Sequence, residues 1–133
     1  MGRLKTVLLV DDDDTTNFLN KFFLNQLDAN CEVNIALNGK EAIEFLLLNA
    51  EDITPCLLVL DTNMPVMNGW EFLDTFEEKI DEKIRNKIVI VMLTAVDTEE
   101  VVAKAIKNPN VSDTAQKPLS DLIFRNLINK HFS

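Results

Sequence analysis

The chain is poor in the residues from which metal centres, disulfide scaffolds, linkers and membrane anchors are built. Its single histidine, His131, excludes a His-ligated zinc cluster and a His-activated nucleophile. Lying two residues from the end, it is expected to be an exposed terminal side chain. Two cysteines, Cys31 and Cys56, are too few for a disulfide framework and lack metal-ligand spacing. Both are expected to be reduced, buried, small apolar side chains. No apolar run approaches the length of a bilayer span, and Met1-Gly2-Arg3-Leu4-Lys5 leads into a strand rather than a secretion signal. A cytoplasmic protein without membrane contact is expected. Basic residues are also scarce, 13 against 22 acidic, for a net charge of -9. That balance disfavours the phosphate backbone of nucleic acid, so no nucleic-acid partner is expected. There is no repeat, low-complexity tract or Gly/Ser linker. The 133 residues, 47% hydrophobic, suit one domain over 1–133 with no output domain after it.

What the chain does have is a set of short apolar runs that end in chemically reactive residues. Val7-Leu8-Leu9-Val10 runs into Asp11-Asp12-Asp13-Asp14, and Leu57-Leu58-Val59-Leu60 runs into Asp61. Continuous apolar runs of this length read as strands buried on both faces of a parallel sheet. Five are expected, at 5–10, 31–36, 57–61, 87–93 and 111–115, alternating with helices at 15–28, 39–49, 69–79, 98–107 and 120–131. Three helix starts show a capping residue with Glu three positions later: Asn38 with Glu41, Asn68 with Glu71, and Asp97 with Glu100. Phe18-Phe22-Phe23-Leu27 in the first helix and Leu119-Ile123-Leu127-Ile128 in the last are expected to pack against the sheet. The mixed charges from Glu77 to Lys87 read as a solvated helix end and loop.

If the strands run parallel, the Asp11–Asp14 cluster, Asp61, Thr94 and Lys117 share the carboxyl edge of the sheet, where open α/β sheets bind ligands. Carboxylates crowded into one crevice repel unless a cation or shared protons relieve them. A hard divalent cation fits such oxygen ligands. Carboxylates, a hydroxyl and an ammonium together suit phosphoryl transfer, with one carboxylate as nucleophile. Asp13 and Asp14 are set apart as caps of the first helix.

Leu8-Leu9-Val10-Asp11-Asp12, Leu60-Asp61-Thr62-Asn63-Met64-Pro65-Val66-Met67-Asn68-Gly69, Met92-Leu93-Thr94-Ala95 and Gln116-Lys117-Pro118-Leu119 stand in order over nearly the whole chain. With Asn38-Gly39-Lys40-Glu41-Ala42 they resemble the receiver domain of two-component response regulators. That resemblance implies a flavodoxin-like, doubly wound five-stranded parallel sheet of order 2-1-3-4-5. It implies Asp61 as phosphoacceptor from a histidine kinase or histidine phosphotransfer protein, and Mg²⁺ held by Asp11, Asp12, Asp61 and the Asn63 carbonyl. Thr94, the Ala95 amide and Lys117 would contact the phosphoryl group, and Asn63 and Val96 would stand where the family tunes dephosphorylation. The output would be phosphorylation-dependent docking to a downstream protein, or relay of the phosphoryl group. The family's usual aromatic three residues before the lysine is Thr114 here, and the chain has no tyrosine, so the usual aromatic readout is missing. Two other readings stay open. One is a receiver-like adaptor that acts without phosphorylation. The other is a haloacid dehalogenase-type phosphatase using Asp11 and Asp13, which leaves the Asp61 loop unexplained.

Overall fold

A computed structural model describes residues 3–27, 31–94 and 99–132. Five strands, β1 (Thr6–Val10), β2 (Glu32–Ala36), β3 (Cys56–Leu60), β4 (Ile88–Thr94) and β5 (Val111–Gln116), form one sheet of order β2-β1-β3-β4-β5. Every neighbouring pair is parallel. The helices are α1 (Asp14–Gln26), α2 (Gly39–Ile53), α3 (Gly69–Lys79), α4 (Glu82–Arg85), α5 (Glu99–Lys107) and α6 (Asp121–His131).

The apolar runs become central strands because both of their faces are covered. All residues of β1, β3 and β4 are buried. Leu8, Val10, Leu58, Leu60, Ile90 and Met92 pack towards α2 and α3, around Leu46, Phe72 and Phe76. Val7, Leu9, Leu57, Val59, Val91 and Leu93 pack towards α1 and α6, around Leu24, Phe124 and Leu127. Side chains alternate across a strand, so each four-residue run feeds both layers. On the first layer Lys104 of α5 sits 4.2 Å over the ring of Trp70 in α3.

Several expectations change. The charged run holds a short sixth helix, α4, after which Arg85 Nη1 turns back to the carbonyls of Glu77 and Ile80, at 2.9 and 2.6 Å. Helix α2 continues to Ile53, because Ile53 is a further buried residue on its inner face. The Asn68–Glu71 capping box forms in full. Asn38 accepts from the Glu41 amide, whereas Glu41 reaches back to the Leu37 amide instead of the cap's own. Asp97 lies outside the described residues.

The first-helix stripe is the largest correction. Phe18 and Phe22 are 70% and 51% exposed, while Asn17, Asn20 and Leu24 are buried. Only Phe23 and Leu27 of the expected stripe touch the core. The last-helix stripe packs as expected and adds the fully buried Phe124. Cys56 is buried and Cys31 half-buried, both free thiols. Burial pushes the Cys56 thiol up to about 12. His131 is also largely covered, its side chain 16% exposed and its Nε2 3.1 Å from Asp113 Oδ2. Lys130 Nζ lies 2.9 Å from the same oxygen. Burial raises the Asp113 carboxyl, but hydrogen bonds from Lys130, His131 and the Thr114 amide outweigh it and hold it below the usual range.

Candidate functional site

The chain order reverses between β1 and β3, since β2 lies on one side of β1 and β3 on the other. Such a switch point opens a crevice beyond the carboxyl ends of the two strands. Val10 and Leu60 are register partners, and the ladder closes with the Asp61 amide donating to the Val10 carbonyl at 2.9 Å. Asp11 and Asp61 therefore leave the sheet side by side. One carboxylate oxygen from each of Asp11, Asp12 and Asp61 falls within 4.8 Å of the others. Asp11 and Asp61 are buried and Asp12 is exposed.

Lys117, the first residue after β5, reaches into this group. Its Nζ lies 2.9 Å from Asp61 Oδ1 and 3.2 Å from Asp11 Oδ2. Burial lowers the Lys117 ammonium, but its contacts with Asp61 and Asp11 outweigh that and raise it. Burial raises the Asp11 carboxyl, the Asp13 amide pulls it back, Asp61 pushes it up again and Lys117 opposes; it ends above its ordinary value. Asp11 Oδ2 is buried and accepts no aligned hydrogen bond from the described residues. A buried carboxylate oxygen with spare lone pairs, beside two more carboxylates, is an incomplete coordination set for a hard cation. The three carboxylates thus suit Mg²⁺ better than one ammonium alone.

The segment after Asp61 is held in place on three sides. Asp61 Oδ1 accepts the Thr62 amide at 2.9 Å, and Thr62 Oγ1 donates to the Leu93 carbonyl at 2.7 Å, tying the segment to β4. The Gly69 amide donates to the Thr62 carbonyl at 2.9 Å. A Cβ on Gly69 would lie 2.5 Å from the Asp61 carbonyl oxygen, so only glycine lets α3 begin this close. Val66 holds φ at 68°, and the Met67 amide donates to the Pro65 carbonyl at 2.7 Å, the three-residue turn of positive φ. The Met67 carbonyl then accepts the Gly39 amide at 3.0 Å.

The expected site residues divide as follows. Asp11, Asp12, Asp61 and Lys117 converge. Thr94 is buried at the end of β4, its carbonyl accepting the Lys117 amide at 3.0 Å. Asn63 is exposed, one residue beyond the anchored Thr62. Ala95 and Val96 lie outside the described residues. Thr114 is a partly buried strand residue in register with Met92. Asp13 caps α1 by accepting from the Thr16 amide, chiefly the Thr16 hydroxyl holding its carboxyl below the usual range. Asp14 is the first helical residue instead of a cap. Sequence reasoning missed Thr62, which differs from any loop threonine only through its reach to Leu93. It also missed Asn17, whose Nδ2 donates to the Asp11 carbonyl at 2.8 Å.

Comparisons with known proteins converge on one description. The family model for the response regulator receiver domain matches residues 7–129. Over 77% of the chain it is 35% identical to the nitrate/nitrite response regulator protein NarL of Escherichia coli, of which it spans 43%. Over 87% of the chain it is 35% identical to hybrid signal transduction histidine kinase D of Dictyostelium discoideum, of which it spans 7%. The chain thus spans less than half the length of either relative. A two component response regulator from Cytophaga hutchinsonii superimposes with a TM-score of 0.81 at 29% identity, covering 96% of each chain.

Proposed function

Because the chain belongs to the response regulator receiver family, we propose that it accepts a phosphoryl group on Asp61 and signals by the change this makes at the sheet's carboxyl edge. The observation that carries the reading is the convergence of Asp61 with Asp11, Asp12 and Lys117 in one crevice. Asp61 Oδ1 is engaged by Lys117 and the Thr62 amide, which leaves Oδ2 as the attacking oxygen. A new bond forms from Oδ2 to phosphorus as the bond from phosphorus to a histidine nitrogen, or to the acyl oxygen of a small acyl phosphate, breaks. The electron pair of the broken bond leaves with that donor. Lys117 neutralises charge on the transferred group, and Thr94 offers a hydroxyl to one of its oxygens. Asp11, Asp12, Asp61 and the Asn63 carbonyl would hold Mg²⁺. The cation's chemistry there is neutralisation of phosphoryl oxygens.

The donor we infer is a histidine kinase or histidine phosphotransfer protein; kinases stand among the relatives. Its landing face is the exposed apolar row Phe18, Leu19 and Phe22 on α1. This row borders a cavity of about 250 Å³ lined by Thr16, Leu19, Phe23, Leu93, Lys117 and Pro118, so an apolar helix laid there reaches the lysine side of the crevice. The downstream protein target is open. Asp13 bears on the phosphatase alternative: its carboxylate is committed to the α1 cap and not free for acid–base work.

Intact-protein mass measurement after incubation with acetyl phosphate tests the reading. One added phosphoryl group is expected with Mg²⁺ present, and none with chelator or in Asp61→Asn. No addition to the wild type under any condition would favour an adaptor that works without phosphorylation.

A further inference from the structure

We propose that Asn17 is a positioning residue for the acidic crevice, fixing the peptide that joins Asp11 to Asp12. Asn17 lies on the inner side of α1 and is 2% exposed. Its Nδ2 donates to the Asp11 carbonyl at 2.8 Å, six residues back along the chain. Past the end of β1 that carbonyl has left the strand ladder, whose last bond to β3 uses the Val10 carbonyl. The Asp11 carbonyl and the Asp12 amide belong to one planar peptide. Holding the oxygen sets the dihedral leaving Asp11 and the one entering Asp12, and with them the direction in which the Asp12 side chain departs. The neighbouring groups are pinned as well: the Asp11 amide donates to the Ala36 carbonyl at 3.0 Å, and Asp11 Oδ1 accepts the Asp13 amide at 3.0 Å. Asn17 supplies the remaining restraint, and without it Asp12, the exposed member of the carboxylate trio, turns more freely.

A second observation separates positioning from ordinary packing. Among the described residues, Asn17 Oδ1 has no hydrogen-bond partner although it is buried. Turning the amide over would aim an oxygen at the Asp11 carbonyl and strand both nitrogen protons, so the orientation is set by that acceptor. A side chain chosen for stability alone would not bury an unpaired carbonyl oxygen where leucine could stand. Its stability cost is matched by what it does for Asp11 and Asp12. The inference rests on the proposed Mg²⁺ reading of the crevice, and residues that orient metal ligands typically change affinity by about tenfold or more when removed.

The test is a Mg²⁺ titration followed by amide NMR shifts, with urea denaturation in metal-free buffer, on the wild type, Asn17→Leu, Asn17→Ala and Leu24→Ala. Leu24 is a buried α1 residue of the core and controls for loosening of the helix. Expected is a Mg²⁺ Kd raised on the order of tenfold in both Asn17 variants, with the urea midpoint of Asn17→Leu close to wild type. Leu24→Ala should keep the wild-type Kd while losing stability. A wild-type Kd in either Asn17 variant, or an equal rise in Leu24→Ala, overturns the positioning role alone. A wild type that binds no Mg²⁺ overturns the metal reading together with it.

Discussion

Asp11 concentrates the conflict between folding and function. Its carboxylate is buried beside Asp61, and the Asp13 amide and Lys117 offset this only in part, so the group sits above its ordinary value of 3.8. A carboxyl whose native value is raised costs stability once pH exceeds the unfolded value, and the cost is relieved as pH falls through the native one. Asp11→Asn is therefore expected to stabilise the metal-free protein at neutral pH by roughly 1 kcal/mol. That gain should shrink towards zero below the ordinary carboxylate value, as read by urea denaturation across pH. A loss of stability at neutral pH would mean that the contact with Lys117 outweighs desolvation. Val66 is a second local concession: a β-branched residue at φ 68°, exposed to solvent, where glycine or asparagine would be at ease. The first departure falls in the crevice and the second in the loop that leads from Asp61 to α3, where local rules are expected to yield to a site's geometry.

Helix α1 shows how an element can defeat its own hydrophobic pattern. Phe18 and Phe22 have the spacing of a core stripe, yet the helix turns Asn17, Asn20 and Leu24 inward and the phenylalanines outward. Two physical facts outside the periodicity decide it. The Asp13 cap fixes where the helix starts, and the side so turned inward holds Asn17 against the Asp11 carbonyl and Leu24 in the core. Neither is visible in a count of apolar spacings. Paired substitution Phe18→Ala/Phe22→Ala should accordingly leave folding stability within about 0.5 kcal/mol of wild type. It should slow phosphoryl transfer from a histidine phosphodonor by at least about tenfold while leaving labelling by acetyl phosphate unchanged. Equal rates from the protein donor would place docking on another face. Helix α6 is the opposite case, because its Ile123 and Leu127, with Leu119 just before it, face the sheet as the spacing says. His131 was misjudged because closeness to the chain end says nothing of Asp113, a partner 18 residues away in sequence.

At the scale of the whole molecule, the sheet was legible because its information is local and redundant. Each central strand is a run of apolar residues covered on both faces, and most helix starts carry their own caps. The shared carboxyl edge came from the reactive residues that end the apolar runs and the strand order from the resemblance of the motifs to receivers, and the parallel ladders realise both. The crevice was legible at Asp11, Asp12, Asp61 and Lys117 because each stands within two residues of a strand's end. The restraints from Asn17 and Thr62 were not, since they depend on distances between segments. What unites the molecule is that one edge of the sheet gathers three carboxylates and one ammonium into a crevice built around Asp61. The most direct test is to treat the protein with acetyl phosphate and Mg²⁺, reduce the acyl phosphate with borohydride, and map the modified residue by peptide mass spectrometry. Reduction of Asp61 alone is the expected result; modification of Asp11 or Asp13 with Asp61 intact would contradict the account.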